Sequence, residues 1–166
     1  MKFATICFPV TGDMTKNRVD AVFLALKKQK IGAGFLNGWG GKMDEGDESL
    51  KSAALREFKE ETGGAVGNPD KTTWVGMIDF YREKEHVFTC AVFFVWEWNG
   101  PLLSTDEMGP GQRFDVSHLP LDRMIEGDRL WFVRLIAGEK LKCTLKHSAD
   151  FKEVLEFSCE PLGTNV

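Results

Sequence analysis

With 166 residues, of which 43% are hydrophobic and 28% charged, the chain has the makeup of a soluble globular protein, and one domain over residues 1–166 is expected. The 21 basic and 25 acidic residues leave a formal charge of −4, which excludes a broad surface for nucleic-acid backbone. No basic stripe or amphipathic anchor marks a membrane contact, so a polyanionic ligand would need metal ions or a few placed cations.

Residues 3–10 and 19–27 are apolar and rich in β-branched side chains, and TGDMTKN between them is dense in turn formers, so they read as a hairpin. The first run is too short to span a membrane and is read as a strand of a cytosolic, cytoplasmic protein. KKQKIGAGFLN, residues 27–37, reads as a basic, glycine-bearing loop that continues to Gly46. A helix is predicted over 47–62, with Asp47 as N-cap, Glu48 in the first turn, and Gly63 and Gly64 closing it. Strands are predicted at 72–81 and 87–98. The second, VFTCAVFFVWEW, is apolar enough to be buried on both faces and is stopped by Asn99-Gly100-Pro101. A short strand at 113–116, a turn at SHLP, an amphipathic helix over 128–137 ended by Gly138, and a hairpin from LKCTLKH and FKEVLEFSC complete the chain. The cysteines Cys7, Cys90, Cys143 and Cys159 never form C-x-x-C, and buried reduced thiols are expected rather than a zinc site or a disulfide frame.

The chemistry concentrates in GWGGKMDEGDESLKSAALREFKEETGG, residues 38–64. Glu57, Glu60 and Glu61 fall at i, i+3 and i+4, on one helix face, where like charges repel. The same sector carries Leu50, Ala53 and Ala54, so the carboxylates point partly toward protein. Arg56 and Lys59 sit off the centre of that face, which leaves a divalent cation to supply the positive charge; hard cations such as Mg²⁺ take carboxylate oxygens. The glycines before the helix let backbone approach a ligand and offer it carbonyls and N–H groups.

Gly41 to Gly64 resembles the Nudix box: Arg56-Glu57-Phe58-Lys59-Glu60-Glu61-Thr62-Gly63 matches its core run in every defined position. Reading back from Arg56 places the leading glutamate on Glu48, with one extra residue beside Gly46. KKQKIGAGFLNGWGGK, STDEM and LWF are similar to the MutT-homologue branch, which hydrolyses oxidised purine nucleoside triphosphates. This resemblance implies an α/β fold, an α/β/α sandwich with a mixed central sheet. It implies metal ligands at Glu57, Glu60, Glu61 and the Gly40 carbonyl, with Mg²⁺ or Mn²⁺ as cofactor. Arg56 would pair with Glu48 or a neighbouring carboxylate, and Glu107 would be a further ligand or the general base.

In the same relatives Asn37 corresponds to the residue that reads the purine edge, and Phe80 and Met108 to pocket positions. Lys27 and Lys42 would add positive charge toward the phosphates. One wall departs from the pattern: Ile125-Glu126-Gly127-Asp128 stands where the relatives have an aromatic residue and paired aspartates, so only Asp128 is matched. The implied activity is Mg²⁺-dependent cleavage of a nucleoside triphosphate, such as 8-oxo-dGTP, to monophosphate and pyrophosphate. Hydrolysis of another nucleoside diphosphate derivative, or nucleotide binding without catalysis, are the alternatives.

Overall fold

The computed structural model describes residues 2–163. In chain order the elements are β1 (Phe3–Asp13), β2 (Arg18–Leu26), β3 (Leu36–Asn37), β4 (Trp39–Lys42), α1 (Leu50–Glu61), β5 (Val66–Gly67) and β6 (Thr72–Arg82). They continue with β7 (Glu85–Val95), β8 (Trp98–Asn99), β9 (Gln112–Asp115), α2 (Glu126–Ile136), β10 (Leu141–His147) and β11 (Val154–Pro161).

The main sheet runs β11-β10-β6-β7-β1-β2-β3, with β4 also paired to β1 and β9 to β2. It is mixed: β1 is parallel to β7 and β6 to β10, while the other pairings are antiparallel. Alternation along the strands sends neighbouring residues to opposite faces. Thus Phe8 and Phe94 pack with Trp131 and Phe132 of α2, whereas Cys7 and Phe93 pack with Ala54 and Phe58 of α1. The helices cover opposite faces of one sheet, as the α/β/α expectation requires. Thr89 to Val95 is buried without interruption, because β7 lies at the centre of the sheet with a helix on each side. No described helix is long and apolar enough to cross a membrane.

Several boundaries differ from those predicted. The stretch read as an uninterrupted loop to Gly46 contains β3 and β4, because β4 pairs antiparallel with β1 from Cys7↔Trp39 to Ala4↔Lys42. A Cβ at Gly40 would strike the Thr5 carbonyl, so a glycine-rich segment is the one that can lie this close. The N-cap of α1 is Ser49, not Asp47. Its side chain accepts from Ser52 N–H at 3.0 Å while Ser52 Oγ accepts from Ser49 N–H at 2.9 Å, a capping box that starts the helix two residues later. The predicted close holds: Gly63 and Gly64 have φ of 77° and 126°, and Gly64 N–H donates to the Lys59 carbonyl at 2.8 Å.

Trp98 belongs to β8, paired with β5, and not to the end of β7. Helix α2 starts at Glu126, ahead of the predicted Asp128. The cysteine expectation holds for Cys7 and Cys90, which are free and buried, and fails for the other two: Cys143 and Cys159 form a disulfide. They are register partners across β10 and β11, a proximity that sequence spacing does not reveal.

Candidate active site

Helix α1 lies against β4 because its apolar stripe, Leu50, Ala53, Ala54 and Phe58, meets Cys7, Trp39 and Phe93. The next position on that stripe is Glu61, so the packing that holds the helix also buries a carboxylate, leaving it 8% exposed. Glu57 is half-buried beneath Gly41, where a Cβ would lie 2.5 Å from the Glu57 carboxyl carbon. Glu60 is one step outward and exposed. The Thr105–Met108 turn brings Glu107 over them, and Glu57, Glu60, Glu61, Thr105, Asp106 and Glu107 line a cavity of about 240 Å³.

A second cavity, about 150 Å³, is lined by Ala4, Thr5, Ile6, Lys27, Asn37, Gly38, Gly40, Gly41, Glu61 and Met108. Glu61 belongs to both linings, so the acidic cavity and the smaller one meet at this residue. Asn37 Oδ1 accepts from Gly38 N–H at 2.9 Å, which fixes the side chain and leaves its amide NH₂ free to donate. Lys42, Phe80 and Asp128 line neither cavity. Lys42 is exposed at the end of β4; Phe80 stacks on Phe88 at 4.8 Å in the α2-side core; Asp128 is buried in the first turn of α2.

The electrostatics follow from burial and repulsion. Burial, then Glu107 and Glu57, push the Glu61 carboxyl up to about 8, against the opposing pull of Lys27 and Lys30. Glu57 is raised by burial, with Arg56 holding it back. Asp128 is pushed up to about 6 by burial; Trp131 and Lys27 counter this, although the Trp131 indole N–H does not reach hydrogen-bond geometry with any acceptor. Among the described residues no ion pair or hydrogen bond reaches the Glu61 carboxylate.

Arg56 is closer to the cluster than its helix position suggested. It donates through Nε and Nη2 to Asp47 at 2.9 Å each, and through Nη1 to Glu57 at 3.0 Å and Glu60 at 3.4 Å. The two-point bond holds Asp47 below the usual carboxylate range. Asp47, not Glu48, therefore ties the loop to the helix.

Among the described residues no three His, Cys, Asp or Glu side chains are already drawn into a metal cage. Arg56 Nη1 donates to both Glu57 and Glu60. The donor set nevertheless suits a hard cation. It consists of oxygens alone, and its most buried member, Glu61, makes no ion pair among the described residues; Lys27 and Lys30 act on it only from a distance.

At the unmatched wall, Gly127 packs against β10, and a Cβ there would lie 2.7 Å from His147 Cε1. Glu126, next to Gly127 on the same wall, is exposed.

The NUDIX domain profile matches residues 2–135. An oxidized purine nucleoside triphosphate hydrolase of Danio rerio is 37% identical over 120 residues, 72% of this chain and 74% of its own length. The Mus musculus protein of the same description is 33% identical over 120 residues, with the same coverage. A MutT protein from Bacillus halodurans shares the fold, with a TM-score of 0.75 at 24% identity, over 98% of this chain and 100% of that one. From the profile match and these two relatives, the chain belongs to the Nudix family of pyrophosphohydrolases.

Proposed function

We propose that the protein is a Mg²⁺-dependent nucleoside triphosphate diphosphohydrolase of the cytosolic nucleotide pool. On this reading it converts an oxidised purine nucleotide such as 8-oxo-dGTP to the monophosphate and pyrophosphate. The observation that carries this reading is the junction at Glu61: a carboxylate-lined cavity opens onto a second one holding Asn37 and Met108. One ligand with a phosphate chain and a base would fill both. The description shared by the Danio rerio and Mus musculus relatives supports the choice of base.

Glu57, Glu60 and Glu61, with the Gly40 carbonyl, would hold the cation, and Mn²⁺ would fit the same oxygens. When bound, a divalent ion neutralises phosphate charge and makes phosphorus more open to attack by water. Glu107, or Glu60 as the more exposed alternative, accepts the proton of the attacking water. Arg56 holds Glu57 in place and ties it to the Asp47 loop, a positioning task. Lys27 contributes positive charge where the two cavities meet, and Lys42 adds a more distant one. Asn37 donates its free amide N–H to an acceptor on the base edge. Met108 would pack on the base face, and Phe80 and Asp128, which line neither cavity, would act on the base from the α2 side of the sheet.

Gly41→Ala tests the link between Glu57 and this chemistry. The new methyl displaces the Glu57 carboxylate while leaving the core untouched, so kcat is expected to fall about 10²-fold with the melting temperature nearly unchanged. Steady-state kinetics and a thermal melt check both halves. The base assignment is tested by comparing kcat/KM for 8-oxo-dGTP, dGTP, ATP and a sugar nucleotide. The proposal expects 8-oxo-dGTP to lead; cleavage of the sugar nucleotide alone would remove the triphosphate claim and keep the Nudix chemistry. That outcome has a physical basis in Ile125 and in the space beside Gly127, which the His147 ring takes.

A further inference from the structure

We infer that Lys28 is a positioning residue for Glu107, acting on the hydrolytic step from outside the glutamate cluster; this rests on the reading of Glu107 as metal ligand or proton acceptor. Glu107 does not share a helix with Glu57 and Glu61, so something must hold its turn at the right height above α1. One anchor comes from within the turn, where Thr105 N–H donates to the Met108 carbonyl at 2.8 Å. A second comes from Thr105 Oγ1, which donates to the Glu61 carbonyl at 3.0 Å and joins the turn to the end of α1.

The third anchor is Lys28. Its backbone N–H donates to the Glu107 carbonyl at 2.9 Å. Its ammonium donates to Ser104 Oγ at 2.7 Å and to the Thr105 carbonyl at 2.8 Å. Two of the three ammonium donors are thus spent on loop atoms, in a fixed direction. Lys28 lines neither cavity, so it acts through the turn and not on a ligand. The neighbouring Lys30 differs: its Nζ faces the Glu107 carboxylate itself, at 3.9 Å. Removing the Lys28 ammonium releases Ser104 and the Thr105 carbonyl, and the turn can then move away from Glu57 and Glu61.

A double-mutant cycle tests the inference. Lys28→Met is expected to lower kcat about tenfold, the effect of one or two charge-assisted hydrogen bonds. KM should stay within about twofold and the melting temperature near that of the native chain. Lys28→Arg should restore most of the rate, since a guanidinium serves both acceptors. In a Glu107→Gln background Lys28→Met should cost nothing further. Amide exchange at Glu107 and Met108, measured without metal or nucleotide, should quicken in Lys28→Met. A rise in KM at constant kcat, or additive losses in the double variant, would overturn the inference. If Glu107→Gln is impaired while Lys28→Met is not, this inference alone falls. If Glu107→Gln turns over like the native chain, the Glu107 reading falls and takes the inference with it.

Discussion

Glu61→Gln is expected to lose function and gain stability in one substitution. The residue is 8% exposed and lines both cavities, so of the clustered glutamates it is the one whose charge the fold is least able to solvate. An amide of the same shape keeps the packing but cannot offer an anionic oxygen to a cation. The lost charge stabilisation amounts to several kcal/mol, so kcat should drop by about 10³-fold or more. Replacing a buried, uncompensated charge by a neutral group removes a penalty in the metal-free protein, expected to raise its stability by about 1–3 kcal/mol at pH 8. Kinetics with Mg²⁺ and denaturant melts with EDTA measure the two effects. A variant that stays active, or one whose metal-free form is less stable than the native chain, would contradict the assignment of Glu61.

The second expected result is a pH-dependent stability that Mg²⁺ reverses. The Glu61 carboxyl sits at about 8 in the folded chain against 4.5 ordinarily, and Asp128 at about 6 against 3.8. Between each pair of values the unfolded chain has released its proton while the folded chain retains it. The folded state binds more protons, so stability must fall as pH rises through those windows. The loss through Glu61 begins near pH 4.5 and is complete above about 8. Its size is on the order of a few kcal/mol, given about 1.4 kcal/mol for each unit by which a pKa moves.

A cation bound at Glu61 would add the close counter-charge that Lys27 and Lys30 do not supply and would favour the ionised form. Mg²⁺ at about 100 times its dissociation constant adds roughly 2.7 kcal/mol. The difference in melting temperature between Mg²⁺ and EDTA samples should therefore widen from pH 5 to pH 8. At about 2–4 °C per kcal/mol it should reach several degrees. A difference that is flat with pH would show that Glu61 is not the group that titrates.

Much of this site was legible in the sequence because its parts are local. The i, i+3, i+4 spacing of Glu57, Glu60 and Glu61 fixes their shared face, and the apolar stripe through Ala53 and Ala54 fixes which way that face points. Gly63 and Gly64 ended the helix where their φ angles require glycine. The misses are tertiary. Asp47 looks like a good cap until Arg56 claims it with two bonds, leaving Ser49 and Ser52 to cap each other. Likewise Trp39 to Lys42 has too much glycine to look like a strand and becomes one because β1 is there to pair with it. Cys143 and Cys159 are brought together by strand register, and Lys28 meets Ser104 across 76 residues. The terminal hairpin was predicted but not the register that sets its two cysteines opposite each other, and no short window of sequence holds Lys28 with Ser104. Met108 and Asn37 were found through a family resemblance, and their own residue types carry little signal.

On the proposed reading this carboxylate cluster drives metal-dependent cleavage between the α- and β-phosphates. That cleavage is tested most directly by incubating the purified protein with 8-oxo-dGTP in Mg²⁺ or in EDTA and identifying the products by phosphorus NMR. 8-oxo-dGMP and pyrophosphate are expected with Mg²⁺, and no turnover with EDTA. Release of orthophosphate with a nucleoside diphosphate, or turnover undiminished by EDTA, would contradict it.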